Sequence, residues 1–223
     1  MIQRLVTATV FVFLTCATLV AQTQYEIHPY GGGFFPGSSN PDYGRFRNEG
    51  IFGVKGGVVL PSNIELGGNL GYISHFEIRP GSGFIDQVAP ANRSSVRGIV
   101  IEMTGDYHVS RPVFGPKVMP YFTGGLGVLT AHVTENPNGD RTLFLSGGIP
   151  AIAGTNTGAK VIALNNNDSF FTISYGGGLK AQRLAGPMGV RADIRGRTMP
   201  NLFGHAVTWP EITGGLTFVW GER

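Results

Sequence analysis

The sequence predicts an all-β fold: an eight-stranded antiparallel up-and-down transmembrane β-barrel with short periplasmic turns and four long extracellular loops. Three observations predict it. Apolar and polar residues alternate with period two through eight segments of about ten residues or more. One face of these segments carries ionisable residues in mid-strand beside Gly, Ser and Thr, and the other carries aliphatic residues with Tyr, Trp and Phe toward the ends. A polar interior and an apolar exterior is the inverse of a soluble barrel. The connections also alternate in length, at about 14 residues (36–49), three (61–63), 15 (79–93), nine (110–118), 34 (135–168), five (183–187) and 12 (199–210). A barrel with one rim of tight turns and one rim of loops produces that rhythm, and a Greek-key sandwich or a soluble lipocalin-like barrel has no reason to keep it.

Taken in chain order, 24–35 and 119–134 alternate least cleanly, and both are rich in Gly, Tyr and Phe. In 51–60, Phe52, Val54, Val58 and Leu60 oppose Gly53, Lys55 and Gly57; in 63–78, Ile64, Leu66, Leu70 and Tyr72 oppose Glu65, Gly67, Asn69 and Gly71. In 95–109, Ile99, Ile101, Met103, Tyr107 and Val109 oppose Glu102, Thr104, Asp106 and His108. In 170–179, Phe171, Ile173, Tyr175 and Leu179 oppose Thr172 and Ser174, with Lys180 next on the polar face. The clearest segment, 186–198, sets Met188, Val190, Ala192 and Ile194 against Arg191, Asp193, Arg195 and Arg197. The last sets Ile212, Leu216, Phe218 and Trp220 against Glu211, Thr213, Gly215 and Thr217.

Composition agrees. Only 14% of the 223 residues are charged, against roughly 25% in ordinary domains, as expected if a belt of surface meets lipid. The 35 glycines follow no Gly-X-Y period, which excludes collagen, and 11% aromatic residues exclude a disordered chain, because that ring surface has to be buried. One Cys allows neither an internal disulfide nor a cysteine-rich metal site. A formal charge of +3 gives no ground for a nucleic-acid partner.

The first residues read as a cleaved signal peptide, 1–22: Arg4 closes a basic start, and 5–20 is an uncharged, Thr-rich apolar run too short for a good spanning helix. Cys16 lies inside it, preceded by Phe13-Leu14-Thr15, a poor lipobox. The barrel domain is then 23–223, and the chain is expected in the cell outer membrane.

From about Gln24 onward the chain resembles the OmpA/OmpX-like small eight-stranded outer-membrane β-barrels. The resemblance is carried by Tyr25-Glu26-Ile27-His28-Pro29-Tyr30-Gly31-Gly32-Gly33, by the mid-strand glycine pairs and by Gly214-Gly215-Leu216-Thr217-Phe218-Val219-Trp220. It implies contact with outer-membrane lipid and lipopolysaccharide, insertion by the barrel-assembly machinery, and a monomer. Such barrels usually end on an aromatic residue, whereas here Gly221-Glu222-Arg223 follows Trp220.

The polar face supplies the candidate site. Its acids are Glu26, Glu65, Glu102, Asp106, Asp193 and Glu211; its bases are Lys55, Lys180, Arg191 and Arg195, with Arg197 near the rim. An eight-stranded barrel is only wide enough for side chains, so these charges have to pair. A lumen plugged by ion pairs is the expectation, with a narrow channel or porin for small solutes or ions as the alternative. No catalytic residue, cofactor or metal is expected. His28, His75, His108, His132 and His205 form no close pair at strand spacing. His108-Val109-Ser110 resembles the His-x-Ser of lipid A deacylase barrels, but its next acid, Glu135, lies beyond another strand. The glycine runs 31–33 and 176–178 carry no Lys-Ser/Thr and open no helix. In each glycine pair, one Gly is expected in the lumen, making room for Arg and Glu, and the other on the lipid face, allowing strand coiling. The loop 135–168 has room to contact an extracellular ligand, and its Asn/Asp clusters fit either weak Ca²⁺ binding or hydrogen-bonded turns. The short turns carry Arg111, Lys117 and Arg183 and no acid.

Overall fold

Because successive strand residues point to opposite faces, closing an alternating sheet on itself sorts the whole chain into an inside and an outside. The computed structural model describes residues 24–36, 46–75, 95–113, 117–135, 141–147, 160–202 and 205–221; the expected signal peptide lies outside the described residues. The strands are β1 (Gln24–Phe34), β2 (Glu49–Val59), β3 (Ile64–Ile73), β4 (Val96–His108), β5 (Val118–Val133), β6 (Thr142–Gly147), β7 (Lys160–Asn165), β8 (Asp168–Ala185), β9 (Met188–Leu202) and β10 (His205–Trp220). Eight of them close a barrel in the order β1-β10-β9-β8-β5-β4-β3-β2, every pair antiparallel. The predicted eight-stranded up-and-down topology is therefore the observed one.

The register fixes the barrel's dimensions. Gln24 pairs with Val59, Val59 with Glu65, Glu65 with Asp106, Asp106 with Thr123, Thr123 with Gly176, Gly176 with Arg195, Arg195 with Glu211, and Glu211 with Phe34. One circuit thus returns to β1 ten residues further on (34 − 24 = 10). With strands about 4.8 Å apart and a rise of about 3.3 Å per residue, that stagger over eight strands tilts them by roughly 40°.

Two connections differ from expectation. Residues 199–210, expected as the fourth long loop, mostly continue β9 and β10, leaving a two-residue link, 203–204. The loop 135–168 holds a hairpin of its own, β6 paired with β7. The turn from β7 into β8 uses the Asn/Asp cluster: Asn167 adopts φ 70°, Asn165 N–H donates to Asp168 Oδ2 (2.8 Å), and Val133 N–H donates to Asn166 Oδ1 (3.2 Å). The cluster 136–140 lies outside the described residues.

The inner glycines take on both tasks, room for side chains and close approach of the strands. A Cβ on lumen-facing Gly32, Gly67, Gly127 or Gly178 would overlap the carbonyl oxygen of Ile212, Gly56, Ile101 or Ala192 on the neighbouring strand. The close approach of strands therefore falls mainly on the inner glycines, with outward Gly177, whose Cβ would lie 2.8 Å from Tyr121 O, as an exception. The outer partners Gly56, Gly68 and Gly214 have no atom nearer than 3.6 Å to such a Cβ. Room for large side chains does come from inner glycines as expected, but the beneficiaries include the phenols of Tyr30, beside Gly53 and Gly71, and Tyr121, beside Gly178.

This sets up a paired test. Gly67→Ala should destabilise the folded barrel by about 1–3 kcal/mol, the range for overpacking, whereas Gly68→Ala should be close to neutral. Urea unfolding in micelles, followed by the mobility difference between unheated and boiled samples, reads both.

Candidate functional site: the barrel lumen

All nine residues singled out for the lumen lie inside it. Lys55, Glu65, Glu102, Asp106, Lys180, Arg191, Asp193, Arg195 and Glu211 are each 4% exposed or less. They sort into two groups along the axis, and an apolar group caps the end toward the long loops.

The group nearer the short turns centres on Asp106. Lys55 Nζ donates to both of its oxygens (2.8 Å each), Thr123 Oγ1 donates to Oδ1 (2.6 Å), and Arg191 Nη2 donates to Oδ2 (2.6 Å). Arg191 also reaches Asp193 Oδ1 (3.2 Å) and Tyr121 Oη (2.8 Å), and its guanidinium lies 4.1 Å from the Tyr121 ring centroid. The Tyr121 hydroxyl donates in turn to Asp193. Lys180 donates to Glu26 Oε2 (2.7 Å) and stands 3.5 Å from Glu65; Gln182 and Thr217 donate to the same Glu26 carboxylate. His108 Nε2 is 3.2 Å from Glu65 Oε2, and His28 Nδ1–H donates to the Leu216 carbonyl (2.7 Å).

The second group joins Glu102 and Glu211 through Arg197. Its guanidinium donates to Glu211 Oε1 from Nε (2.5 Å) and to Glu102 Oε1 from Nη1 (3.1 Å). Arg195 lies 3.7 Å from each of the same carboxylates. Asn69 donates to Glu102 Oε2 (3.1 Å) and accepts from the Tyr30 hydroxyl (2.9 Å). Arg197, expected near the rim, is fully buried, because β9 continues five residues past it to Leu202.

Above Arg197 the inward residues turn apolar. Phe34, Ile51, Ile73, Val100, Leu129, Met199 and Trp209 are buried together. Phe46, before β2, packs edge-on against Trp209 (5.6 Å between centroids), as does Phe34 (5.4 Å), and Leu164 of β7 joins the same cluster. Sequence reasoning missed this cap. Its signal was present, since inward positions such as Val96, Val100, Leu129, Met199 and Val207 are apolar, but residues apolar on both faces read only as blurred alternation.

The structure also makes a cluster that histidine spacing did not reveal: one ligand atom each of Glu65, Asp106 and His108 lies within 4.8 Å of the others. It does not fit a metal ion. Lys55 and Arg191 already contact Asp106, and Lys180 stands 3.2 Å from His108 Nε2, so a divalent ion would meet three cations at close range. The His-x-Ser motif is split as well: His108 turns inward to Glu65, while Ser110 Oγ accepts from Asn63 Nδ2 (3.0 Å) at the turn.

Known structures share this architecture. Similar solved structures include Neisserial surface protein A (11% identity over 87% of this chain and 96% of that one, TM-score 0.52). Others are the outer membrane protein OprG from Pseudomonas aeruginosa (9%, 91% and 98%, TM-score 0.50) and the N-terminal barrel domain of Pseudomonas aeruginosa OprF (17%, 89% and 98%, TM-score 0.46). The fold is that of the small eight-stranded outer-membrane β-barrels. No family description matches the sequence, and no curated protein is similar to it in sequence.

The ion pairs predict a non-additive mutational response. Arg197→Met leaves Glu102 and Glu211 short of one cation and should cost about 3–5 kcal/mol, the usual range for breaking a buried pair. Adding Glu211→Leu restores the balance of one acid and one base, so the double variant should lose less than the sum of the two single losses in a urea-unfolding cycle.

Proposed function

We propose that this chain is an integral outer-membrane β-barrel with a structural or surface-interaction role, its lumen closed to ions and solutes. The observation that carries the closed lumen is the stacking along one axis of two hydrogen-bonded charge groups beneath an apolar cap. A conducting path would have to part Arg197 from two carboxylates and then pass Trp209, Phe34 and Met199, all 2% exposed or less. The reading assigns no reaction to the lumen.

Membrane placement is supported by the outer face. Ile27, Phe52, Val54, Leu66, Leu70, Ile101, Met103, Phe122, Leu126, Ile194 and Leu216 are all more than 40% exposed, and a soluble protein does not present apolar surface on that scale. The band is roughly 25 Å tall from the tilt and rise, the height of the apolar belt in such barrels. Above it the outer face turns polar, with Thr130 bonded to Ser169 (3.0 Å) and Thr198 to Thr208 (2.8 Å). In this reading the long-loop rim faces outward into lipopolysaccharide, insertion uses the barrel-assembly machinery, and any extracellular ligand meets the loop 135–168.

Purified protein in planar bilayers should give no stable single-channel steps, and unheated samples should migrate faster than boiled ones on gels. Reproducible steps would overturn the closed lumen in favour of a narrow channel. A chain released from membranes by carbonate washing would overturn the membrane barrel.

A further inference from the structure

The described residues of the two rims differ in charge. At the long-loop rim, the described basic residues Arg47, Arg97, Arg141 and Lys160 are interspersed with Glu49, Glu135 and Asp168, with Arg141 and Glu135 3.3 Å apart. At the short-turn rim, Arg111, Lys117 and Arg183 are exposed, and among the described residues no exposed carboxylate accompanies them. Among the described residues the acids at this end, Glu26 and Glu65, are 1% and 2% exposed and held inside the lumen.

These three bases occupy one sector. Val118 pairs with Ala181, which sets the β4–β5 turn, bearing Arg111 and Lys117, beside the end of β8, bearing Arg183. The turn is anchored: Val113 N–H donates to Val118 O (3.0 Å), and Asn63 holds Ser110 (3.0 Å). Arg183 Nη2 donates to Gly221 O (2.9 Å), next to outward-facing Trp220. Exposed apolar residues stand between the charges, Val113 at 52% and Leu184 at 48% exposure. The girdle residues Tyr25, Tyr107, Phe122 and Trp220 face outward just beyond them.

We infer that this sector of the short-turn rim binds the headgroups of anionic phospholipids in the leaflet that the short turns face. The inference rests on the membrane placement proposed above. Aromatic girdles sit at headgroup level, which puts Arg111, Lys117 and Arg183 at the depth of the phosphates. Long basic side chains lay their methylenes along apolar surface and hold their charge at the interface, and Val113 and Leu184 supply that surface. Complementary charge selects the occupant: three exposed bases, with no exposed acid among the described residues beside them, favour a net-negative headgroup over a zwitterionic one, in which a cation accompanies the phosphate. Each basic group near an anionic surface adds several-fold to the local affinity.

Trp220 is the reporter. It is 47% exposed on the outer face beside Arg183, whereas Trp209 is 2% exposed in the apolar cap. The full chain is reconstituted in phosphatidylcholine vesicles containing a brominated-acyl lipid, with either a phosphatidylglycerol or a phosphatidylcholine headgroup. At low salt the brominated phosphatidylglycerol should quench Trp220 with a relative affinity at least about threefold higher, and high salt should reduce the difference. In the variant R111Q/K117Q/R183Q the two lipids should quench alike, while heat-modifiable mobility persists because all three side chains are exposed. Equal quenching by both lipids in the unsubstituted protein, or a preference that survives in the triple variant, would overturn the inference and leave the membrane placement standing. Quenching by neither lipid would overturn the placement, and the headgroup site with it.

Discussion

Closing eight strands with a stagger of ten residues leaves a bore only as wide as the side chains that fill it. Every other feature of this molecule answers to that width. Neighbouring backbones approach so closely that a methyl group on Gly32, Gly67, Gly127 or Gly178 would run into a carbonyl oxygen. The remaining space is taken by long polar side chains meeting across the axis, and because so little room is left for solvent, each charge finds its counter-charge in the protein. Lys180 of β8 reaches Glu26 of β1, and Arg191 of β9 reaches Asp106 of β4. These contacts join strands on different sides of the barrel, which sheet hydrogen bonding alone cannot do.

The ion pairs and the apolar cap do different work. A buried ion pair recovers through its partner roughly what each charge loses on leaving water, so its net contribution is small while the cost of breaking it is large. Pairing of this kind specifies register: shifting one strand by a single residue would turn Asp106, Lys55 or Arg197 outward. The cap supplies cohesion of the ordinary kind, with Phe34, Phe46 and Trp209 in edge-on contact over Met199 and Leu129. It also binds two connections to the barrel, since Phe46 precedes β2 and Leu164 belongs to the β6–β7 hairpin.

How much of this was legible in the sequence follows from the range of each signal. Alternation is local, so it assigned Glu65, Glu102, Asp106, Arg191 and Asp193 to the inner face before any pairing was known. Which acid meets which base depends on the stagger, a property of the closed circuit that no single strand carries; Lys180 and Glu26 are 154 residues apart. The apolar cap was hidden because its residues weaken the same alternation that identifies the strands. Phe46 and Leu164 lie outside the barrel strands, so no periodicity pointed to them. The glycine pairs were legible as pairs, but whether the inner or outer member takes the close approach is settled by strand packing around the circuit. Loop length misled at 199–210, where the chain keeps β9 and β10 paired on either side of the link.

The inversion of polarity also decides where this fold can exist. In a soluble domain most of the driving force is apolar area withdrawn into the core. Here the clustered inward apolar residues form a cap at the long-loop end, Val59, Ala181 and Val219 are buried near the other end, and the bore between holds ion pairs of small net contribution. The larger apolar area lies outside, on residues such as Phe52, Ile101, Met103, Phe122 and Ile194, each more than half exposed. In water those residues would contribute nothing to closure, since they face solvent before and after it. Against hydrocarbon they favour closure, because an open edge would leave backbone groups unpaired where no water can satisfy them. The same strands therefore hold together through their backbone hydrogen bonds and an apolar exterior, with the paired charges determining which barrel forms.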